Sequence, residues 1–230
     1  NIVRLLECYF TAQAEFAGKK VLITAGPTYE KIDPVRFIGN YSTGKMGFAL
    51  AEEFARRGAE VVLVAGPVTL TTGHPSIRRV DVESAAEMYA EVIPAAADCD
   101  IIVSCAAVAD FTPEEKAVSK IKREGENLCL KLQPTQDIAA ELGKRKKEGQ
   151  LLVGFALETD DEQCNAFQKL KKKNLDLIVL NSLKDEGAGF GGDTNKVTMI
   201  DRREHIQEYA LKSKREVACD IVGRVKNLLS

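Results

Sequence analysis

The segment Gly39-Asn-Tyr-Ser-Thr-Gly-Lys-Met-Gly47 holds the residue types needed to grip an anion. Gly44 and Gly47 let oxygens approach the backbone, and Ser42 adds a hydroxyl. A helical pattern starts at the same point. Unpaired N–H groups and the helix dipole favour negative charge there. This is phosphate-holding chemistry. The alternative is that the glycines only turn the chain and seat a helix on a sheet.

The segment also contains G-x4-G-K, but Met46 cannot offer Mg²⁺ the hydroxyl a P-loop requires. Tyr41-x-x-x-Lys45 has the spacing of a short-chain dehydrogenase pair. It follows the first strand, however, where that pair does not belong. A second cluster is Cys105-Ala-Ala-Val-Ala-Asp110, whose small residues admit a ligand close to a strand end. Asp110 can accept bonds from ligand hydroxyls or cap a turn. Lys120 lies in a basic stretch that could close over phosphates. Lys169 and Lys173 share one helical face, where they serve a ligand or the helix dipole. The role of the glycine-rich run 187–195 stays open between a substrate loop and a surface turn.

Histidine-based chemistry has little to work with. His74 and His205 are isolated, and the six cysteines include no C-x-x-C pair, which argues against structural zinc.

The elements that must position these residues alternate in type. Apolar, β-branched runs at 21–24, 60–65, 77–82, 101–105, 151–155 and 177–180 read as strands. Helical periodicity covers 44–57, 84–97, 137–147, 160–173 and 213–229. Residues 196–200 and 206–210 read as paired strands. Residues 25–43 read as a long loop, and 112–133 as a flap with a strand at 128–132. The expected fold is α/β, a Rossmann-like, mainly parallel sheet with helices on both faces and a flap hairpin. Ligands in such folds bind beyond the strand carboxyl ends, at the topological switch point. Segments 26–47, 106–110 and 155–159 should therefore meet at one crevice. Residues 1–18 read as a linker helix from a preceding domain, and 19–230 as one catalytic domain.

The chain has 230 residues, 32 Lys and Arg against 34 Asp and Glu, and 45% hydrophobic residues. That suits a folded domain, not a disordered chain. The balanced charge speaks against a nucleic-acid binder. No apolar run reaches membrane-spanning length and no signal peptide is visible, so a cytoplasmic location with reduced thiols is expected.

Together these segments resemble phosphopantothenoylcysteine synthetase of the bacterial type, from about Lys19 onward. The carriers are VLITAGPT at 21–28, DPVR at 33–36, NYSTGKMG at 40–47, CAAVAD at 105–110, Lys120-Ile-Lys122, GFALET at 154–159, KNLD at 173–176 and the run 190–195. The resemblance implies a CTP-dependent ligase that uses Mg²⁺. It would join 4′-phosphopantothenate to L-cysteine through an acyl-cytidylate, as a homodimer. In such proteins the domain usually follows a flavin-dependent decarboxylase.

The resemblance also implies site residues. Asn40 and Lys120 would be catalytic: Lys120 would offset charge as pyrophosphate leaves, and the Asn40 amide would donate to a developing oxyanion. Gly26, Ser42, Gly44, Gly47, Ser104, Cys105, Ala106, Asp110, Gln136, Asp137, Ile138, Phe155, Lys169 and Lys173 would hold the nucleotide. Arg36, Asn40, Ala106, Ala107 and Asp110 would contact the substrate, with Arg36 crossing a dimer interface to its phosphate. Relatives commonly carry proline where this chain has Gln136, a change beside the nucleotide base. A Rossmann-type NAD(P) oxidoreductase and a non-catalytic nucleotide-binding module are the alternatives; the glycine spacing opposes the first.

Overall fold

The computed structural model describes residues 14–123, 125, 127–158, 161–182 and 192–229. The chain runs β1 (Lys20–Ala25), β2 (Tyr29–Lys31), β3 (Phe37–Gly39), α1 (Lys45–Arg56), β4 (Glu60–Ala65), β5 (Ile77–Asp81), α2 (Ala85–Ala96) and β6 (Ile101–Ser104). It continues through β7 (Phe111–Pro113), β8 (Leu132–Pro134), α3 (Ile138–Arg145), β9 (Leu151–Glu158), α4 (Glu162–Lys172) and β10 (Leu177–Ser182). It closes with β11 (Thr194–Asn195), β12 (Val197–Asp201), β13 (Ile206–Glu208), β14 (Lys212–Ser213) and α5 (Lys214–Leu229).

Eight strands form the central sheet in the order β13-β12-β10-β9-β6-β1-β4-β5. The six strands from β10 to β5 are parallel; β12 and β13 add an antiparallel edge. The parallel strands are apolar on both faces because helices cover both. Val21 and Ile23 face α1 and α5, while Leu22 faces α2, α3 and α4, and all three side chains are fully buried. Each such side chain contributes about 1.5–3 kcal/mol of burial. The chain moves outward from β1 through β4 and β5, then returns to β6 on the other side of β1. The switch point therefore lies between the carboxyl ends of β1 and β6. This is the expected α/β, Rossmann-like architecture.

Three details differ from the sequence reading. Segment 25–43 contains a hairpin, β2–β3, closed by Tyr29 stacked on Phe37 with ring centroids 3.8 Å apart. The flap strand starts at Leu132 rather than Leu128, and β8 pairs with β7. Leu128 and Leu130 look like strand residues by alternation, but they are exposed and lie outside any described strand. Finally, Phe16 is buried edge-on against Phe54, centroids 5.1 Å apart. The packed body thus extends into the segment read as linker; most of that segment, residues 1–13, lies outside the described residues.

Candidate functional site

A cavity of about 610 Å³ opens at the switch point. Its first wall is the start of α1. Gly44 turns the chain with φ 77°, a conformation glycine adopts without a Cβ penalty. No side chain caps the helix, and Ser42 Oγ accepts from the Gly44 N–H at 3.4 Å. Gly47 lets the helix sit on β1, for a Cβ there would stand 2.5 Å from that of Ala25. The glycines turn and seat the helix, and both also line the cavity.

The second wall is the end of β6. Thr24 Oγ1 accepts from the N–H groups of Cys105 and Ala106, each at 3.1 Å. Thr28 Oγ1 accepts from Ala109 N–H at 2.9 Å. These two buried threonines fix Ala106, Ala107 and Asp110 at the cavity. Burial pushes the Cys105 thiol up to about 12, so it is a neutral wall group. The Ser104 hydroxyl is buried without a hydrogen-bond partner, and Ser104 lines the cavity. A buried hydroxyl of this kind calls for a partner.

The third wall joins the starts of α3 and the end of α4. Asp137 caps α3, accepting from Ala140 N–H at 3.0 Å, and pairs with Lys173 at 2.9 Å. Burial opposes its charge, but the Ala140 N–H and Lys173 outweigh this and hold the carboxyl below its ordinary range. Gln136, Ile138, Phe155 and Lys169 line the same region. Thr135 ties the segment to β6's loop through Ala109 O at 2.6 Å.

Four expected site residues lie outside the cavity lining. Gly26 is packed behind Gly44, where a Gly44 Cβ would stand 3.5 Å from the Gly26 Cα. Asn40 is exposed beside the wall, its Nδ2 donating to Ala107 O at 3.0 Å and Val108 O at 3.2 Å. Both partners are carbonyls, so the amide orientation is set. Its amide donors are engaged by these two carbonyls, and Oδ1 takes part in neither bond. Lys120 is exposed on the flap. Arg36 clasps that flap, donating Nε to Asp33 at 2.9 Å and Nη2 to Ile121 O at 2.8 Å. Asp33 also accepts from Ile121 N–H at 3.2 Å.

The sequence reading missed Thr24, Lys45, Asn181, Asn195 and Lys214 as lining residues. Lys45 lies in the segment NYSTGKMG and in two discarded motifs, but was not singled out as a site residue. Lys214 carries no local signal, since the fold alone brings the start of α5 to α1.

A doubly wound, mainly parallel sheet with a cavity at its switch point makes this a Rossmann-like α/β domain. The chain belongs to the family described as the DNA/pantothenate metabolism flavoprotein C-terminal domain, which matches residues 16–229. This agrees with the family the motifs resemble. Over its full length the chain is 58% identical to a protein named cysteine/cysteine sulfinic acid decarboxylase, from an unknown prokaryotic organism, and covers 65% of it. It is 47% identical to the coenzyme A biosynthesis bifunctional protein CoaBC of Bacillus subtilis over 99% of the chain and 56% of that protein. The chain therefore spans only part of the curated relatives it matches. A solved structure, the C-terminal domain of a coenzyme A biosynthesis bifunctional protein CoaBC, superposes with TM-score 0.80 at 40% identity, covering 94% of this chain and 98% of that one. No described helix is long and apolar enough to cross a membrane.

Proposed function

We propose that the domain is a phosphopantothenate–cysteine ligase of coenzyme A biosynthesis. It uses CTP and acts as the second half of a bifunctional protein. The observation that carries this is the switch-point cavity, which gathers Ser42, Gly44, Gly47, Asp137, Lys169 and Lys173 around one volume. The similarity to a CoaBC C-terminal domain across nearly all of that domain supports the ligase half.

A carboxylate is a poor acyl donor because its leaving group would be an oxide. In the proposed reaction a carboxylate oxygen of 4′-phosphopantothenate attacks the α-phosphorus of CTP, and the bond to pyrophosphate breaks. The amine of L-cysteine then attacks the acyl carbon, CMP leaves with its electron pair, and the amine loses a proton. Orientation and charge neutralisation supply most of the catalysis. The α1 turn and the orphan Ser104 hydroxyl receive phosphate or sugar oxygens. Lys120, carried on the flap, offsets charge as pyrophosphate departs. Asn40 Oδ1 accepts from the incoming amine.

Mg²⁺ would add charge neutralisation on the triphosphate. The described residues contain no cluster of three metal-ligating side chains. This fits an ion that keeps waters and arrives on substrate phosphates. Of the described carboxylates lining the cavity, Asp137 is paired with Lys173, so Asp110 would be the one to help hold such an ion.

Incubation with CTP, Mg²⁺, 4′-phosphopantothenate and L-cysteine should give the amide product by mass spectrometry. A folded protein that binds CTP and yields no amide contradicts the ligase reading.

A further inference from the structure

The hairpin β2–β3 carries the two side chains given chemical roles outside the cavity lining. Asn40 follows β3 directly, and its amide is held by the carbonyls of Ala107 and Val108. At the other end of the hairpin, the loop 32–36 holds the flap on either side of Lys120. Ile32 O accepts from the Ala117 N–H at 2.9 Å, and Asp33 and Arg36 grip both backbone groups of Ile121. The hairpin is a separate two-stranded sheet, which is marginal unless something else supports it. That support is the start of α2. Glu30, opposite Ile38 in the hairpin register, is only 2% exposed. Its Oε1 accepts from the Ala85 N–H, the first of α2, at 2.7 Å. A helix gives its first N–H groups no partner of its own, and its start favours a carboxylate. On either side of Glu30, the Tyr29 N–H donates to Glu83 O at 2.8 Å, and Lys31 pairs with the Glu83 carboxylate. Three successive hairpin residues thus dock on 83–85, and the Glu30 bond is the buried one.

We propose that Glu30 is a positioning residue for the ligation. It seats the hairpin on α2, and the hairpin presents Asn40 at one end and the Lys120 flap at the other. Glu30 acts through these two side chains and touches no ligand itself. The proposal rests on the ligase reading and adds to it one shared anchor for both steps, activation and amide formation. The cavity walls stand on other elements: Gly44 and Gly47 on α1, Asp137 at the start of α3, Phe155 on β9 and Lys173 at the end of α4. Loosening the anchor should therefore slow the chemistry and spare nucleotide binding.

The test compares Glu30→Ala and Glu30→Gln in the full chain, by turnover and by calorimetric titration with CTP. Glu30→Ala should lower kcat for pyrophosphate release and for amide formation roughly ten- to hundredfold, the cost of misplaced reacting groups. The Kd for CTP should stay at the wild-type value, a split that general loss of structure would not produce. Glu30→Gln keeps an oxygen acceptor for the Ala85 N–H and should recover most of the rate. Circular dichroism and thermal melting establish that each variant folds. If Glu30→Ala does not, Phe37→Ala, which removes the half-exposed ring stacked on Tyr29, should give the same split. Wild-type rates in the folded variant, a CTP affinity that falls as far as kcat, or a Gln variant no better than Ala would overturn the role of Glu30 and leave the ligase standing. Wild-type protein that forms no amide would overturn both.

Discussion

Asn40 turns its amide nitrogen toward the carbonyl of Ala107, 3.0 Å away, and so locks its own orientation against the end of β6. Its donors are engaged within the chain, and Oδ1 is the atom we propose to accept from the incoming amine. The distinction has a consequence for a one-atom substitution.

Asn40→Asp replaces the amide nitrogen with an oxygen facing two carbonyl oxygens. The carboxylate must turn away, at a cost of about 1–3 kcal/mol in lost or unmet hydrogen bonds. Amide formation should fall at least tenfold, while nucleotide activation persists. Rapid-quench analysis should therefore show accumulated acyl-nucleotide. Normal amide yield would remove the role given to Asn40.

Lys173→Met breaks the pair with Asp137 and removes a cation from the cavity. Both side chains are partly exposed, so stability should change by less than about 1 kcal/mol. The KM for CTP should rise roughly tenfold or more. An unchanged KM with an unchanged melting temperature would show that Lys173 serves the helix end alone.

Gly47→Ala places a Cβ 2.5 Å from that of Ala25, between the helix and β1. Neither backbone can yield without moving the cavity wall. Overpacking of this kind costs about 1–3 kcal/mol, or roughly 2–4 °C per kcal/mol in melting temperature for a chain of this size. Differential scanning calorimetry would register it. A variant as stable as the parent would mean that α1 does not rest on β1 this closely.

Asp33 is held well below its ordinary carboxylate range, first by the Arg36 hydrogen bond and then, against its burial, by the N–H groups of Val35, Arg36 and Ile121. A depressed carboxylate stabilises fully above its unfolded pKa, and the contribution is lost as pH falls through the folded value. Melting temperature should thus hold near neutrality and decline in acid, below about pH 4. Asp33→Asn should flatten that decline. An acid slope identical in both proteins would exclude Asp33 as a contributor.

Much of this arrangement is legible in the residues. The strands β1, β4, β6, β9 and β10 are apolar runs because both faces of the sheet are covered, and Gly58 ends α1 at φ 94°. The glycine turn, the small residues after β6 and the Lys169–Lys173 face are local patterns, and all reach one cavity. What escapes the sequence is long-range. Leu128 and Leu130 alternate like a strand without acquiring a described partner, whereas β7 and β8 pair through less obvious residues. Lys214 joins Lys45 only because α5 packs against α1 through Val217, Ile221 and Val225. The direction of the Asn40 amide depends on two carbonyls that lie 67 and 68 positions away.

Activation of a carboxylate as an acyl-cytidylate releases pyrophosphate, which can be followed before any amide forms. With CTP, Mg²⁺ and 4′-phosphopantothenate but no cysteine, the protein should release about one equivalent of pyrophosphate in a burst; cysteine should convert the burst into turnover. ATP in place of CTP measures how far Gln136 relaxes base choice. Pyrophosphate release that ignores 4′-phosphopantothenate, or none at all from protein that binds CTP, would contradict the account.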